Sequence, residues 1–309
     1  MMTVCVFGKV LVAQQDTHFS LYRHHMTIFN PAVTGLEGNG FLKLSTRNQW
    51  IGEEQAPRTQ AISFGTPLGT ERIGLGFNVI NDATFVEDQT SFFVNFSYKL
   101  QLNDSADLFL GIQAGGNTFR INASSLRTIG SDGIIGDPFL IDHGQFNPNV
   151  GVGIYIRTEK GFLSLSAPRI LSTKRFMEED GFFTTATDRV HSYISLGRQI
   201  AMSENWTITP YFMSRFVNDA PIFHSFNTNL TYDNGFDFGL EYHWGSGFGA
   251  NLMIDLGSMS FGYAYTHYLN DEINQSANGS HELLLKVMLG SGKGKVGVVR
   301  QDNDIENDK

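Results

Sequence analysis

The chain has 309 residues, of which 33 are glycine and 26 are phenylalanine, and it carries a formal net charge of −9 and one cysteine. Glycine at this density disfavours helices, and the acidic balance argues against nucleic-acid binding, which needs basic side chains to offset phosphate charge. The single cysteine excludes an intrachain disulfide framework and a cysteine-rich metal site. No uncharged apolar run reaches the ~18 residues that a membrane-spanning helix requires.

The N-terminus predicts a targeting segment. Residues 1–13 form a short apolar stretch in which Leu11 and Ala13 stand at the positions that a signal peptidase reads. Lys9 interrupts the stretch and a basic start is missing, so the predicted signal peptide is an incomplete one, and an ordinary N-terminal strand is the alternative. Residues 14–40 show no strong alternation, and two interpretations stay open for them: a plug of a barrel lumen or a periplasmic segment.

From residue 41 onward, apolar and polar residues alternate in runs of about ten residues. In 236–244, for example, aromatic residues and leucine alternate with Asp237, Gly239, Glu241 and His243. A half-buried strand of a soluble sandwich also alternates, but such strands usually have ~5–6 residues. Many runs here are longer and end in aromatic residues, which is typical of strands that cross the outer membrane.

Runs of this kind follow one another along the chain. They are 41–50, 59–66, 72–81, 89–100, 107–119, 149–157, 161–167, 189–200, 205–216, 222–232, 235–244, 247–256, 259–269 and 281–289. Bacterial single-chain barrels have even strand counts, and closure leaves no unpaired edge in lipid. The sequence therefore predicts an all-β fold, a transmembrane antiparallel β-barrel of about 14 strands over residues 41–290.

The predicted connections alternate in length, which fixes an orientation. If the first strand rises from the periplasm, the outer connections are 51–58, 82–88, 120–148, 168–188, 217–221, 245–246 and 270–280, and the inner turns are 67–71, 101–106, 158–160, 201–204, 233–234 and 257–258. All connections longer than six residues then lie on the outer side. Long extracellular loops and short periplasmic turns are expected of such barrels.

Three segments between or after the strands have their own predictions. The Gly, Asp, Asn and Pro residues in 129–138 and in FNPN at 146–149 predict loops. The connection 168–188, which mixes charge with Phe182 and Phe183, is either a surface loop or a segment folded into the barrel mouth. Residues 291–309 are predicted to form a periplasmic tail, in contact with other components or disordered.

Several motifs resemble those of the PorP/SprF family of outer-membrane proteins in the type IX secretion and gliding machinery of Bacteroidota. They are a QQD start, an FNPA-x-x-G segment, R-x-QW and P-x-TQ. The matching residues are Gln14, Gln15, Asp16, Phe29, Asn30, Pro31, Ala32, Gly35, Arg47, Gln49, Trp50, Pro57, Thr59 and Gln60. Residues 147–156 and 164–171 resemble further family segments, whereas Thr17 replaces the usual proline.

The resemblance implies a non-enzymatic barrel that binds, anchors or assists the export of cell-surface proteins carrying a type B C-terminal sorting domain. Its implied partners are a secreted surface protein or adhesin, bound through its C-terminal domain, other type IX secretion components and outer-membrane lipid. It implies no nucleic acid, catalytic residue, cofactor or metal, and it leaves the partner-binding residues unknown. The alternative is a passive porin, since a barrel of this size conducts if nothing fills it.

A few groups of polar residues are candidate functional sites. His24 and His25 would point to opposite faces of a strand and could not readily chelate one ion. Asp237, Glu241 and His243 share one face of a predicted strand, and we interpret them as polar filling of the lumen in preference to a weak ion site. His281-Glu282 and the other serine, histidine and aspartate residues form no nucleophile motif.

Overall fold

A computed structural model describes residues 18–121, 143–269 and 279–290, except 54, 70–71, 86, 173, 180–181, 188, 219 and 234. The predicted signal peptide 1–13, the loop 129–138 and the tail 291–309 lie outside the described residues. So do the motif residues Gln14, Gln15 and Asp16.

Strands make up most of the described chain. Their bounds are β1 Gly40–Gln49, β2 Arg58–Leu68, β3 Ile73–Thr84, β4 Glu87–Asn103, β5 Ala106–Ile121, β6 His143–Thr158, β7 Gly161–Arg169, β8 Lys174–Glu179, β9 Phe182–Thr187, β10 His191–Arg198, β11 Ile200–Ala201, β12 Trp206–Val217, β13 Phe223–Tyr232, β14 Phe236–His243, β15 Gly247–Asp255, β16 Met259–Tyr268 and β17 Ser280–Leu289. Each of the predicted runs coincides with one of these strands or, for 189–200, with β10 and the start of β11.

The strands form a closed antiparallel barrel. Strands β1 to β7 pair in sequence order, β10 pairs with both β7 and β12, β12 to β17 follow in order, and β17 pairs with β1. The two-residue strand β11 continues β10 past Gln199 and also pairs with β12. The wall therefore has fourteen strands, which confirms the predicted fold class. The additional strands β8 and β9 pair with each other in a separate hairpin within the connection 168–188, which the sequence did not predict.

The alternation of residues along each strand puts apolar side chains on the outer face of the barrel and polar side chains on the inner face. On β14, Phe238 and Leu240 are exposed whereas Asp237, Glu241 and His243 are buried. Aromatic residues also lie near both rims of the outer face, with Tyr242 and Trp244 at one rim and Trp206 and Tyr232 at the other. An apolar band between aromatic girdles is suited to lipid, and the chain is accordingly an outer-membrane protein.

The long connections lie at one rim of the barrel, as predicted. At that rim the connections are 50–57, 85–86, 122–142, 170–190, 218–222, 244–246 and 269–279, and at the other rim they are 69–72, 104–105, 159–160, 202–205, 233–235 and 256–258. The connection predicted at 82–88 is shortened to 85–86, because β3 and β4 keep pairing up to Thr84 and Glu87. We call the rim with the long connections the loop rim and the other the turn rim.

The prediction of a loop at FNPN, residues 146–149, is wrong. These residues belong to β6, where Asn147 is opposite Asn117 and Pro148 is opposite Gly116 of β5. Turn propensity is a local preference, and continued pairing with a long neighbouring strand overrides it. The three long strands β4, β5 and β6 thus form one continuous part of the wall.

Residues 18–39, which we call the inner segment, lie inside the barrel. They contain two 3-10 turns, Tyr22–His24 and Pro31–Val33, and the four-residue helix α1, Met26–Phe29. Every residue from 19 to 34 is buried. Among the described residues, no helix has the length and apolar character needed to cross a membrane.

The prediction that His24 and His25 point to opposite faces of a strand is wrong. His24 lies in a 3-10 turn and His25 is the C-cap of that turn. Their surroundings still differ. Burial, and then the charges of Arg23, Lys43 and Lys286, lower the pKa of His24 well below its ordinary value. The Nε2 atom of His25 instead lies 3.2 Å from a carboxylate oxygen of Glu282.

Candidate functional site

The inner segment packs against the inward-facing side chains of the wall through an aromatic core. Phe29 lies between Tyr22 and Tyr193, with ring centroids 5.0 Å and 5.1 Å away. The buried members of this cluster are Phe19, Tyr22, Met26, Ile28, Phe29, Ala32, Val33, Ala61, Phe109, Tyr155, Phe162, Tyr193, Tyr211 and Met213. Since they come from both the segment and the wall, an apolar core lies where an open barrel would hold water.

The FNPA-x-x-G motif of the inner segment is fitted closely to the wall. The side-chain amide of Asn30 donates to the backbone carbonyl of Ile154 at 3.0 Å and to the hydroxyl of Ser164 at 2.8 Å. Its carbonyl oxygen accepts from the amide of Ala32 at 2.9 Å, which caps the turn that starts at Pro31. Asn30 is completely buried, so these bonds satisfy a group that would otherwise be costly to bury.

Glycines in the wall make room for this motif. A Cβ atom at Gly111 would lie 2.1 Å from the backbone nitrogen of Ala32, and one at Gly153 would lie 1.9 Å from the side-chain oxygen of Asn30. Neither distance leaves space for a methyl group. Glycines therefore relieve crowding on the inner face at these positions, where the crowding comes from the inner segment.

An ion pair connects the first 3-10 turn of the segment to β14. A guanidinium nitrogen of Arg23 contacts a carboxylate oxygen of Asp237, and both side chains are buried. Asp237 also accepts from Thr231 at 3.0 Å and from the amide of Asn229. Because both charges are removed from water, loss of one partner would leave the other uncompensated.

A second carboxylate, Glu282 on β17, holds the start of the segment. One of its oxygens accepts from the backbone amide of Ser20 at 2.7 Å, and the other lies near His25. The Ser20 hydroxyl forms a further hydrogen bond of 2.6 Å with Thr266 on β16. The neighbouring residue His281 points to the outer face and bonds to Tyr263, so His281 and Glu282 do not form one site.

A third cluster holds the end of the segment near the turn rim. The carboxylate of Glu37 lies 2.7 Å from the ammonium of Lys43 and 2.5 Å from that of Lys286. Burial raises the pKa of Glu37, but the charges of Lys286 and Lys43 outweigh burial and lower it to about 2. Lys43 also donates to the backbone carbonyl of His24 at 2.8 Å.

The predicted constellation of Asp237, Glu241 and His243 is divided by the structure. All three face inward, but Asp237 pairs with Arg23, whereas Glu241 and His243 lie closer to the loop rim beside His18. Sequence reasoning missed Arg23, Glu37 and His18, because residues in a stretch without periodicity give no indication of their distant partners. Charged residues on inward-facing strand positions, such as Lys43 and Lys286, were the available signal.

Comparison with known proteins identifies the relatives of the chain. A family model described as type IX secretion system membrane protein PorP/SprF matches residues 11–287, whereas no curated protein matches.

Similar solved structures include three barrels. They are the outer membrane protein Omp33 of Acinetobacter baumannii (8% identity, 83% of this chain, 100% of that chain, TM-score 0.47), a FadL homologue of Pseudomonas aeruginosa (9%, 85%, 92%, 0.48) and the CymD monoaromatic hydrocarbon channel (10%, 85%, 91%, 0.48). The family is one of secretion membrane proteins and not a known enzyme class.

Proposed function

Because the chain belongs to the PorP/SprF family of type IX secretion system membrane proteins, we propose that it binds, anchors or assists the export of cell-surface proteins without catalysing a reaction. Its cargo would be surface proteins or adhesins that carry a type B C-terminal sorting domain, and its other partners would be components of the secretion and gliding machinery. The observation that supports this role over a passive porin is the occupied lumen.

The inner segment acts in this proposal as a plug. A barrel of fourteen strands is wide enough to conduct when empty, but here an aromatic core and four sets of buried polar contacts fill it. These contacts include charge pairs and a fully buried amide, which are costly to leave unpaired. The segment would therefore stay in place under ordinary conditions, and the barrel would offer its rims for binding.

The loop rim is the proposed contact surface for the partner. Phe85 at the tip of the connection between β3 and β4 is 63% exposed, and Phe146 on the adjoining part of the wall is 61% exposed. Exposed aromatic side chains at a protein surface are frequent anchors of protein interfaces. Phe146 belongs to β6, which, like its neighbour β5, is longer than a bilayer crossing needs.

The test is isolation of the affinity-tagged protein from its native membrane, followed by identification of the proteins that accompany it. The amount of partner recovered with a Phe85→Ser, Phe146→Ser double variant should be at least tenfold lower than with the wild type. The matched control is Leu102→Ser, which removes a large side chain, 54% exposed, near the turn rim and should leave recovery unchanged. Recovery of the wild-type chain alone, without a surface protein or secretion component, would contradict the proposal.

A further inference from the structure

Three side chains with metal-binding atoms meet inside the barrel near the loop rim. Glu241 and His243 project inward from β14, and His18 begins the described part of the inner segment. One ligand atom from each residue lies within 4.8 Å of the other two. The rings of His18 and His243 are 4.7 Å apart, edge to face, so the segment and the wall each contribute to one cluster.

The polar atoms of this cluster lack the partners that buried atoms normally have. Nε2 of His18, both ring nitrogens of His243 and one carboxylate oxygen of Glu241 are buried and form no hydrogen bond with any described residue. The other oxygen of Glu241 accepts from Thr266 at 3.0 Å. Buried polar groups are almost always satisfied, so several such atoms that face one another are suited to holding a ligand.

The geometry is close to that of a zinc site. A tetrahedral site with bonds of about 2.0–2.2 Å places neighbouring ligand atoms roughly 3.4 Å apart. Nε2 of His243 and Oε1 of Glu241 are already 3.4 Å apart. The remaining ligand-atom separations are at most 4.8 Å, and Nε2 of His18 has no hydrogen bond among the described residues that would oppose a small shift.

The donor set selects the class of ion. Two imidazoles and one carboxylate are typical of zinc and similar divalent transition metals, whereas calcium and magnesium need more oxygen ligands. The nearby cationic residues Arg47 and Arg215 act electrostatically on His18, which further disfavours a cation held by charge alone. An ion at this site would therefore be held by coordination bonds to the imidazoles and not by net negative charge.

We propose that His18, Glu241 and His243 bind one zinc-class divalent ion, which ties the start of the inner segment to β14. The site lies at the opposite end of the segment from the cluster of Glu37, Lys43 and Lys286. Metal and ion pairs would thus hold the segment near both rims. Binding of the ion is independent of which protein the barrel holds, so the metal site and the proposed function can fail separately.

The test uses the full chain, purified in detergent without a polyhistidine tag and treated with a chelator. Isothermal titration with zinc should give one ion per chain, and titration with cobalt should give the visible absorption bands of a tetrahedral site. His18→Gln, Glu241→Gln and His243→Gln should each weaken zinc binding by tenfold or more. His281→Gln is the matched control, because His281 lies on the outer face of the barrel, and it should bind as the wild type does.

His18→Gln is the most informative variant, because it leaves every strand unchanged. Retained folding is checked for each variant by its heat-dependent mobility on a denaturing gel. Absence of a stoichiometric zinc site in the wild type would overturn the proposal, and so would wild-type affinity in all three variants. Binding that is lost in His243→Gln but kept in His18→Gln would overturn the link between the segment and the wall.

Discussion

The fourteen-stranded wall and the inner segment that it encloses obtain their order from different interactions. The wall is a repetitive structure, in which each strand pairs with two neighbours and presents alternate side chains to lipid. The inner segment has a single four-residue helix, α1, and two 3-10 turns among its described residues. Buried contacts such as Arg23–Asp237 and the hydrogen bonds of Asn30 hold it in place. Changes in the segment should therefore alter closure of the barrel without unfolding the wall.

The largest effect is expected from removal of residues 18–39. The wall keeps all of its strand pairings, so the deletion variant should still insert into lipid, but its lumen should become a water-filled channel. In planar bilayers we expect a steady open-channel current in place of a closed barrel. A deletion variant that inserts and stays closed would show that the segment is not what fills the lumen.

The next effect concerns Arg23→Ala, which leaves Asp237 without its ion-pair partner. Breaking a buried pair in this way costs about 3–5 kcal/mol. Here this loss makes attachment of the segment to the wall less stable. Closure can be followed by maleimide labelling of a buried reporter, Val33→Cys, in a chain with Cys5→Ser. Labelling should become faster in Arg23→Ala.

The double variant Arg23→Ala with Asp237→Asn is the control for this pair. It removes both charges, so no uncompensated charge stays buried, and labelling should slow again toward the wild-type rate. Equal labelling rates in the single and double variants would mean that the ion pair does not hold the segment.

A smaller effect is expected from Gly111→Ala. The added methyl group would meet the backbone of Ala32 at 2.1 Å, and overpacking of this kind costs about 1–3 kcal/mol. Gly235→Ala is the matched control, because its Cβ would have no neighbour closer than 3.9 Å. Labelling of the Val33→Cys reporter should rise in the first variant only, and an equal rise in both would contradict close packing of the segment at Gly111.

The difference between the wall and the inner segment also explains which features could be predicted from the sequence. The alternation of Phe236–His243 depends only on neighbours in the chain, so it identified a strand, its two faces and its place in an even-numbered barrel. The contact of Arg23 with Asp237 joins residues more than 200 positions apart, and no local pattern indicates it. FNPN at 146–149 shows the reverse error, because a local turn signal was overridden by pairing with β5. The residues His18, Glu37 and Ser20 were missed for the same reason as Arg23.

The smallest effect is a dependence on acid pH. The pKa of Glu37 is lowered to about 2 by Lys286 and Lys43, below its ordinary value of 4.5. Its contribution to attachment of the segment is therefore complete above about pH 4.5 and is lost as the pH falls from there toward 2.

The labelling rates of the wild type and of Glu37→Gln should accordingly differ by the same factor at pH 7 and pH 5, and this difference should shrink at lower pH, measured with a thiol reagent that is active in acid. Asp237 and Glu282 are present in both chains, so comparison with Glu37→Gln isolates the contribution of Glu37. The variant should lose part of the acid dependence, and an unchanged pH profile would contradict this assignment.

Planar-bilayer recording of the purified full-length chain tests most directly whether the inner segment closes the barrel. The occupied lumen predicts that inserted barrels carry no steady current across the range of voltages that leaves the bilayer intact. A large and steady conductance from the wild-type protein would contradict closure by the segment and would favour a passive porin.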